Sequence, residues 1–182
     1  ESIGRLNDVV VEDMAAQFQQ YLAAHNLPPV STPTYNLKPG DIATLAVAPG
    51  EGLTRVFQSL GATAIVPGGQ TMNPSTQDFV KILEALPVDK AILLPNNGNV
   101  LMAARQAAEL SPKQVLVVPA KTIPQGIAAM LAFNDQRNLE ANAQAMEAAT
   151  QHVLTGEITV ATRAIEYNGV KVEEGHIIGL LN

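Results

Sequence analysis

The chain has no cysteine among its 182 residues, which removes disulfides, thiolate nucleophiles and cysteine-bound zinc from consideration. Charge is scarce too, at 15% of residues, and the balance of 11 basic against 17 acidic side chains leaves a net charge of −6. Nucleic acid would call for a basic face, so no nucleic-acid partner is expected. No apolar run reaches the roughly 18 residues of a membrane span. The start lacks the basic stretch and apolar segment of a secretory signal. Only three histidines occur, His25, His152 and His176, with no His-x-x-x-His spacing and no Ser-His-Asp context. They read as surface or capping residues. Neither a metal site nor a catalytic residue is expected, and a cytoplasmic location fits these absences best.

What is present is a hydrophobic content of 47%, which favours a packed globule over a disordered segment. The length suits one domain with a real core, or one domain with an arm. A start on Glu1 and an end on the apolar HIIGLLN suggest a piece of a longer protein.

Residues 9–25 place Val10, Met14, Phe18, Tyr21 and Leu22 at helical spacing. The four prolines of NLPPVSTPTYNLKPG then mark an extended linker. Residues 1–40 are therefore expected to form a helical arm and linker, and residues 41–182 an α/β body. In that body, strand-length apolar runs at 42–48, 62–67, 90–95 and 114–119 alternate with helical patterns at 50–61, 75–86, 99–110 and 124–133. A further helix is expected over 138–154. Such alternation predicts a mostly parallel sheet with helices on both faces. The tail from 157 reads as two or three antiparallel strands, with Asn168-Gly169 as a hairpin turn.

The loops that follow the four strands are unlike the rest. APGEGL, PGGQTMNPS, PNNGN and PAKTIPQG all fall at the carboxyl edge of a parallel sheet, where open α/β folds bind ligands. Each leads into a helix N-terminus, with its unpaired N–H groups and partial positive charge. The candidate ligand- or partner-binding residues are Gln70, Thr71, Asn73, Ser75, Asn96, Asn97, Asn99, Lys121, Thr122 and Gln125. Amides and hydroxyls of this kind suit a carboxylate, a phosphate or a partner's backbone, and offer little for acid–base work. Plainer roles compete: Ser75 and Asn99 as helix caps, Gly68 and Gly69 as suppliers of positive φ. Glu51 in the first helical turn disfavours an anion at GEG, which is neither a Walker loop nor G-x-G-x-x-G.

Three strings taken together carry a family resemblance: GEGLTRVFQSLGATAIVPGGQTMNPSTQDFVKIL, ILLPNNGNVLMAARQAAEL and VLVVPAKTIPQGIAAMLAFN. The chain resembles the carboxyl-terminal region of the fatty acid kinase protein FakA, YloV-like and of the dihydroxyacetone kinase family. The resemblance implies a DegV/DhaK-type (EDD) fold and a docking role toward FakB, a DegV-type acyl-binding protein. It also implies that ATP and magnesium belong to a separate amino-terminal domain, with no cofactor in this chain, and it leaves a homodimer open. In DegV proteins two loops contact the acyl carboxylate. Residues 70–75 and 95–99 occupy their places here, with amides where those proteins have serines. Two other readings stand beside the docking module: a small-ligand binder using the same rim, and an independent enzyme, for which neither nucleophile nor metal site is found.

Overall fold

The computed structural model describes residues 37–69, 73–167 and 170–181, all within one unit, Leu37–Asn182. Of the arm and linker expected over residues 1–40, residues 1–36 lie outside the described residues, as do Gln70, Thr71 and the Asn168-Gly169 turn.

The apolar run IATLAVA forms β1 (Ile42–Ala48), buried from Ala43 onward. With it pair β2 (Ala64–Pro67) and β3 (Lys90–Leu94), and β3 in turn pairs with β4 (Gln114–Val117). Every pairing is parallel and the order is β2-β1-β3-β4. Near-continuous burial along β1 and β3 is what a sheet covered on both faces requires.

Helices α1 (Gly50–Ser59), α2 (Thr76–Ala85), α3 (Leu101–Leu110) and α4 (Ile123–Ala132) follow the four strands in turn, and α5 (Leu139–Gln151) follows α4. Ala46 and Ala48 of β1 with Ile92 and Leu94 of β3 share one core with Phe57 of α1, Ala129 and Met130 of α4, and Leu139 and Met146 of α5. The alternate residues Leu45, Val47, Ala91 and Leu93 are buried as well. Period-two alternation puts them on the opposite face, where α2 supplies Phe79 and Leu83 and α3 supplies Ala104 and Ala107. Phe57 and Phe79 are both fully enclosed, and truncating such a ring to alanine costs about 3–5 kcal/mol.

Local chemistry sets the helix ends. Gly61, at φ +89°, terminates the α1 turn as its position in the sequence suggests. Ser75 and Asp78 form a reciprocal capping box: the Asp78 N–H donates to the Ser75 hydroxyl oxygen, and the Ser75 N–H donates to the Asp78 carboxylate at 2.8 Å. Asn138 caps α5 by accepting from the Ala141 N–H at 2.8 Å. Asn142, one turn on and fully buried, donates to the carbonyls of Asn134, Arg137 and Asn138 and accepts from the Asn134 N–H. It gathers the α4–α5 connection around one amide. At the amino edge the Lys113 ammonium donates to the Leu86 carbonyl, tying the end of α2 to the start of β4.

Three sequence expectations need correction here. Helix α3 starts at Leu101, its cap position is Val100 with no side-chain bond, and Asn99 is not the cap; the Asn99 N–H is taken by the Asn97 side chain instead. Gly68 and Gly69 are not among the glycines of positive φ; close packing demands them, as the site shows. The tail is antiparallel as expected, but among the described residues it holds four strands instead of two or three, in two separate pairs: β5 (Gly156–Val160) with β8 (Ile177–Leu181) and β6 (Ile165–Tyr167) with β7 (Val170–Val172). His152 sits at the C-cap of α5, and exposed His176 lies 3.7 Å from Glu173 just ahead of β8.

Candidate functional site

In the order β2-β1-β3-β4, the chain leaves β1 toward β2 and then crosses back over β1 to reach β3. Strand order therefore reverses between β1 and β3, and the loops beyond their carboxyl ends diverge to opposite faces. Such a point opens a crevice in α/β sheets. A cleft of about 500 Å³ occupies it.

Its walls come from five stretches of chain. Val47 and Pro49 come from the end of β1, Gly68 and Gly69 follow β2, and Asn96, Asn97 and Asn99 follow β3. Lys121 through Pro124 open α4, and Thr155 through Glu157 lead into β5. Among the described residues the side chains are thus amides, hydroxyls, one ammonium and one carboxylate, with apolar groups between.

Asn96 is the hinge of this arrangement. It is buried, at 5% exposure, in the left-handed region at φ +54°, which asparagine tolerates better than most residues. Its Nδ2 donates to the Val47 carbonyl at 2.9 Å, joining the ends of β1 and β3 across the reversal. That bond fixes the amide's orientation, because the flipped form would set two oxygens together. Its Oδ1 is buried with no hydrogen-bond partner among the described residues. It faces Gly126 in the first turn of α4, where a Cβ would overlap the Asn96 carboxamide. The positive end of the α4 dipole offsets part of the cost of that unpaired oxygen.

The glycine pair after β2 works by the same close approach. A Cβ on Gly68 would meet Pro74 Cδ at 2.7 Å and Val47 Cγ1 at 2.8 Å, and one on Gly69 would meet Pro49 Cβ at 2.8 Å. Real Cβ atoms do not pack so near, so only glycine lets this loop lie against β1. Asn97 extends the connection, its Nδ2 reaching the Gly69 carbonyl at 3.4 Å and the Asn73 carboxamide oxygen at 3.5 Å, while its Oδ1 accepts from the Asn99 N–H at 2.9 Å.

On the far wall Thr122 caps α4, accepting from the Gln125 N–H at 3.4 Å, and Gln125 Oε1 accepts from the Lys121 N–H at 2.8 Å. The Thr122 and Thr155 hydroxyls lie 2.8 Å apart, fastening the start of β5 to the α4 N-terminus. Lys121 is exposed. With the helix N-terminus it gives the cleft its positive side, and Glu157 supplies the opposite charge.

Five of the ten sequence candidates, Asn96, Asn97, Asn99, Lys121 and Thr122, line the cleft. Asn73 meets it through Asn97, and Gln125 through the backbone of Lys121. Ser75 stands outside the lining, its hydroxyl engaged with Asp78. That hydroxyl first, and the Ser75 N–H second, hold the Asp78 carboxyl below its ordinary value, with Lys81 adding a smaller pull. Sequence reasoning missed the wall made by Thr155, Gly156 and Glu157. No periodic signal marks it, since it is brought in by tertiary packing of the tail.

Comparison with known proteins adds a family to this geometry. Residues 43–182 match the FakA-like C-terminal family of fatty acid kinase. The chain is 39% identical to protein YloV of Bacillus subtilis (strain 168) over 98% of its own length and 32% of that protein. It is 38% identical to an uncharacterized protein of Staphylococcus saprophyticus over 100% of its length and 33% of the relative. An uncharacterized protein of Staphylococcus aureus (strain USA300) is 36% identical over 100% of the chain and 32% of the relative. The chain therefore spans about a third of the length of the curated relatives it matches.

Proposed function

The chain belongs to the FakA-like C-terminal family of fatty acid kinase, and from that premise we propose that it is the docking module of such a kinase. It receives an acyl-carrying protein of the FakB/DegV type at the carboxyl rim of its sheet. Phosphoryl transfer falls to a separate domain that binds ATP and magnesium, and the setting is the cytoplasm. Among the described residues no helix is long and apolar enough to cross a membrane.

The observation that carries this reading is the composition of the cleft wall. Asn97, Asn99, Lys121 and Thr122 present hydrogen-bonding groups and one cation at the mouth of the switch-point crevice. These groups recognise a backbone or an anionic group without needing to move a proton. Asn97 joins two loops of the rim, so the surface is held ready for a partner, which reduces the ordering cost of association. Calorimetric titration of the chain with its cognate acyl carrier tests the proposal. Association at micromolar concentration is expected, and its absence there would sink the idea.

The volume of the cleft favours a second reading. At about 500 Å³ it falls in the roughly 300–1,000 Å³ range of small-ligand sites. A fatty acid or phosphorylated compound would then sit there, its anionic end toward Lys121 and the α4 N-terminus. Native mass spectrometry separates the readings: a retained small anion with no carrier binding favours the second.

A further inference from the structure

Of the asparagines in the sequence, only Asn97 and Asn168 are followed by glycine. The amide nitrogen of the next residue can attack an asparagine side-chain carbonyl, and a residue without Cβ leaves that nitrogen uncrowded. Asn97 lies half-buried in the loop after β3, and its neighbour Gly98 is exposed. A Cβ on Gly98 would meet nothing within 4 Å. Among the described residues the Gly98 N–H has no hydrogen-bond partner, so no bond has to break before it loses its proton. The turn around this pair is held in place. The Val100 N–H donates to the Asn97 carbonyl at 3.1 Å, and the Asn99 N–H donates to Asn97 Oδ1 at 2.9 Å. The second bond aims a fixed donor at the oxygen on which negative charge develops when a nucleophile adds to Cγ. The Nδ2 contacts, 3.4 Å to the Gly69 carbonyl and 3.5 Å to Asn73, are longer than ordinary N–H···O bonds and hold a departing group weakly.

We propose that Asn97 is a deamidation site in the wall of the cleft. Hydroxide takes the proton from the Gly98 amide, and the freed nitrogen adds to Asn97 Cγ. The Asn99 N–H steadies the oxyanion that forms on Oδ1. The Cγ–Nδ2 bond then breaks, the nitrogen leaves as ammonia with a proton from water, and a five-membered succinimide remains. Water opens that ring at either carbonyl. Opening at Cγ gives aspartate; opening at the main-chain carbonyl gives isoaspartate, with the chain rerouted through the side chain. In sum one water is consumed and one ammonia released, with no change in oxidation state. Neighbouring asparagines lack the combination. Pro74 after Asn73 has no N–H, and after Asn99 the β-branched Val100 crowds a nitrogen whose N–H already donates to Asn97. The product inverts the chemistry of the cleft mouth. A carboxylate replaces an amide whose N–H groups face the Gly69 carbonyl and the Asn73 carboxamide oxygen, and the chain gains a negative charge. The site rests on this loop alone, independent of the docking reading.

Peptide mapping by mass spectrometry tests it on the whole chain, incubated folded at mildly acid and mildly alkaline pH, with a parallel sample unfolded in denaturant. Heavy-oxygen water as solvent labels each product, and fragmentation separates Asn97 from Asn96 and Asn99. Aspartate and isoaspartate are expected at position 97, forming faster at alkaline pH and at least ten-fold faster than at Asn96 or Asn99. The rate in the folded protein is expected to equal or exceed that of the unfolded chain. Gly98→Ala serves as the control variant, since Gly98 is not among the glycines of positive φ and has room for a methyl group. It is expected to melt as the wild type does and to slow the conversion at least ten-fold. Absence of conversion at position 97 overturns the proposal. So does a slower rate in the folded protein than in the unfolded chain, which would mean that the loop protects Asn97. Conversion of Gly98→Ala at the wild-type rate overturns it too, because the Gly98 nitrogen would then not be the nucleophile.

Discussion

Gly126 has no room for a side chain because the carboxamide of Asn96 lies where its Cβ would stand. The two residues are thirty positions apart in the sequence, yet each dictates the other. Asn96 turns its oxygen under the first turn of α4 while its nitrogen holds the end of β1. The α4 N-terminus can settle over it only if residue 126 is glycine.

Gly126→Ala is therefore expected to destabilise the protein by about 1–3 kcal/mol through overpacking. Asn96→Gly in the same chain removes the clash and suits the positive φ at 96, so the double variant should regain part of that loss. Urea denaturation of the four proteins measures the coupling. Strictly additive losses would show that the two sites do not interact.

Ser75→Ala removes the N-cap of α2 and should cost about 1 kcal/mol. The capping partner adds a pH signature. The Asp78 carboxyl is lowered in the folded protein by the Ser75 hydroxyl and N–H, so its contribution is full above the ordinary carboxylate value. It is lost as pH falls through the lowered folded value. Stability followed from neutral pH into the acid range should drop less steeply in Asp78→Asn than in the wild type. Equal slopes would deny the bond its role.

Thr122 and Thr155 hold the start of β5 against the α4 N-terminus through one hydroxyl contact. Replacing Thr155 by valine should cost about 1 kcal/mol, the net worth of such a bond plus the unpaired partner, and replacing Thr122 about 1 kcal/mol more, because its hydroxyl also caps α4. Replacing both should cost less than the sum. Chemical denaturation of the singles and the double settles it.

Lys121 tests the rim without disturbing the fold, since its side chain is exposed. Lys121→Ala should leave the melting temperature unchanged. If the rim receives the acyl carrier, the variant should bind it several-fold more weakly and with a flatter dependence on salt. Titrations at two ionic strengths give both numbers.

The sheet and its helices are legible in the sequence because buried parallel strands read as unbroken apolar runs, and IATLAVA and KAILLP do so plainly. The capping box of α2 is legible because its two residues lie three apart and act on each other directly. Asn99 looks like a cap for want of tertiary information: nothing local shows that Asn97 takes its N–H. The Gly68-Gly69 pair looks like turn chemistry, but the reason for it is Pro49 and Val47 from an earlier strand. The contribution of Thr155 to the cleft has no local signal at all, because the contact joins residues 33 positions apart.

The cleft draws its lining from near residues 47, 68, 96, 121 and 155, most of the way along the described chain. No contiguous stretch contains it. A partly folded molecule accordingly cannot offer it, and whatever binds there selects the finished domain alone. By mass action an occupant at a hundred times its dissociation constant adds about 2.7 kcal/mol to the folding equilibrium. Any occupant of the rim would thus favour molecules that have completed the sheet over unfinished ones.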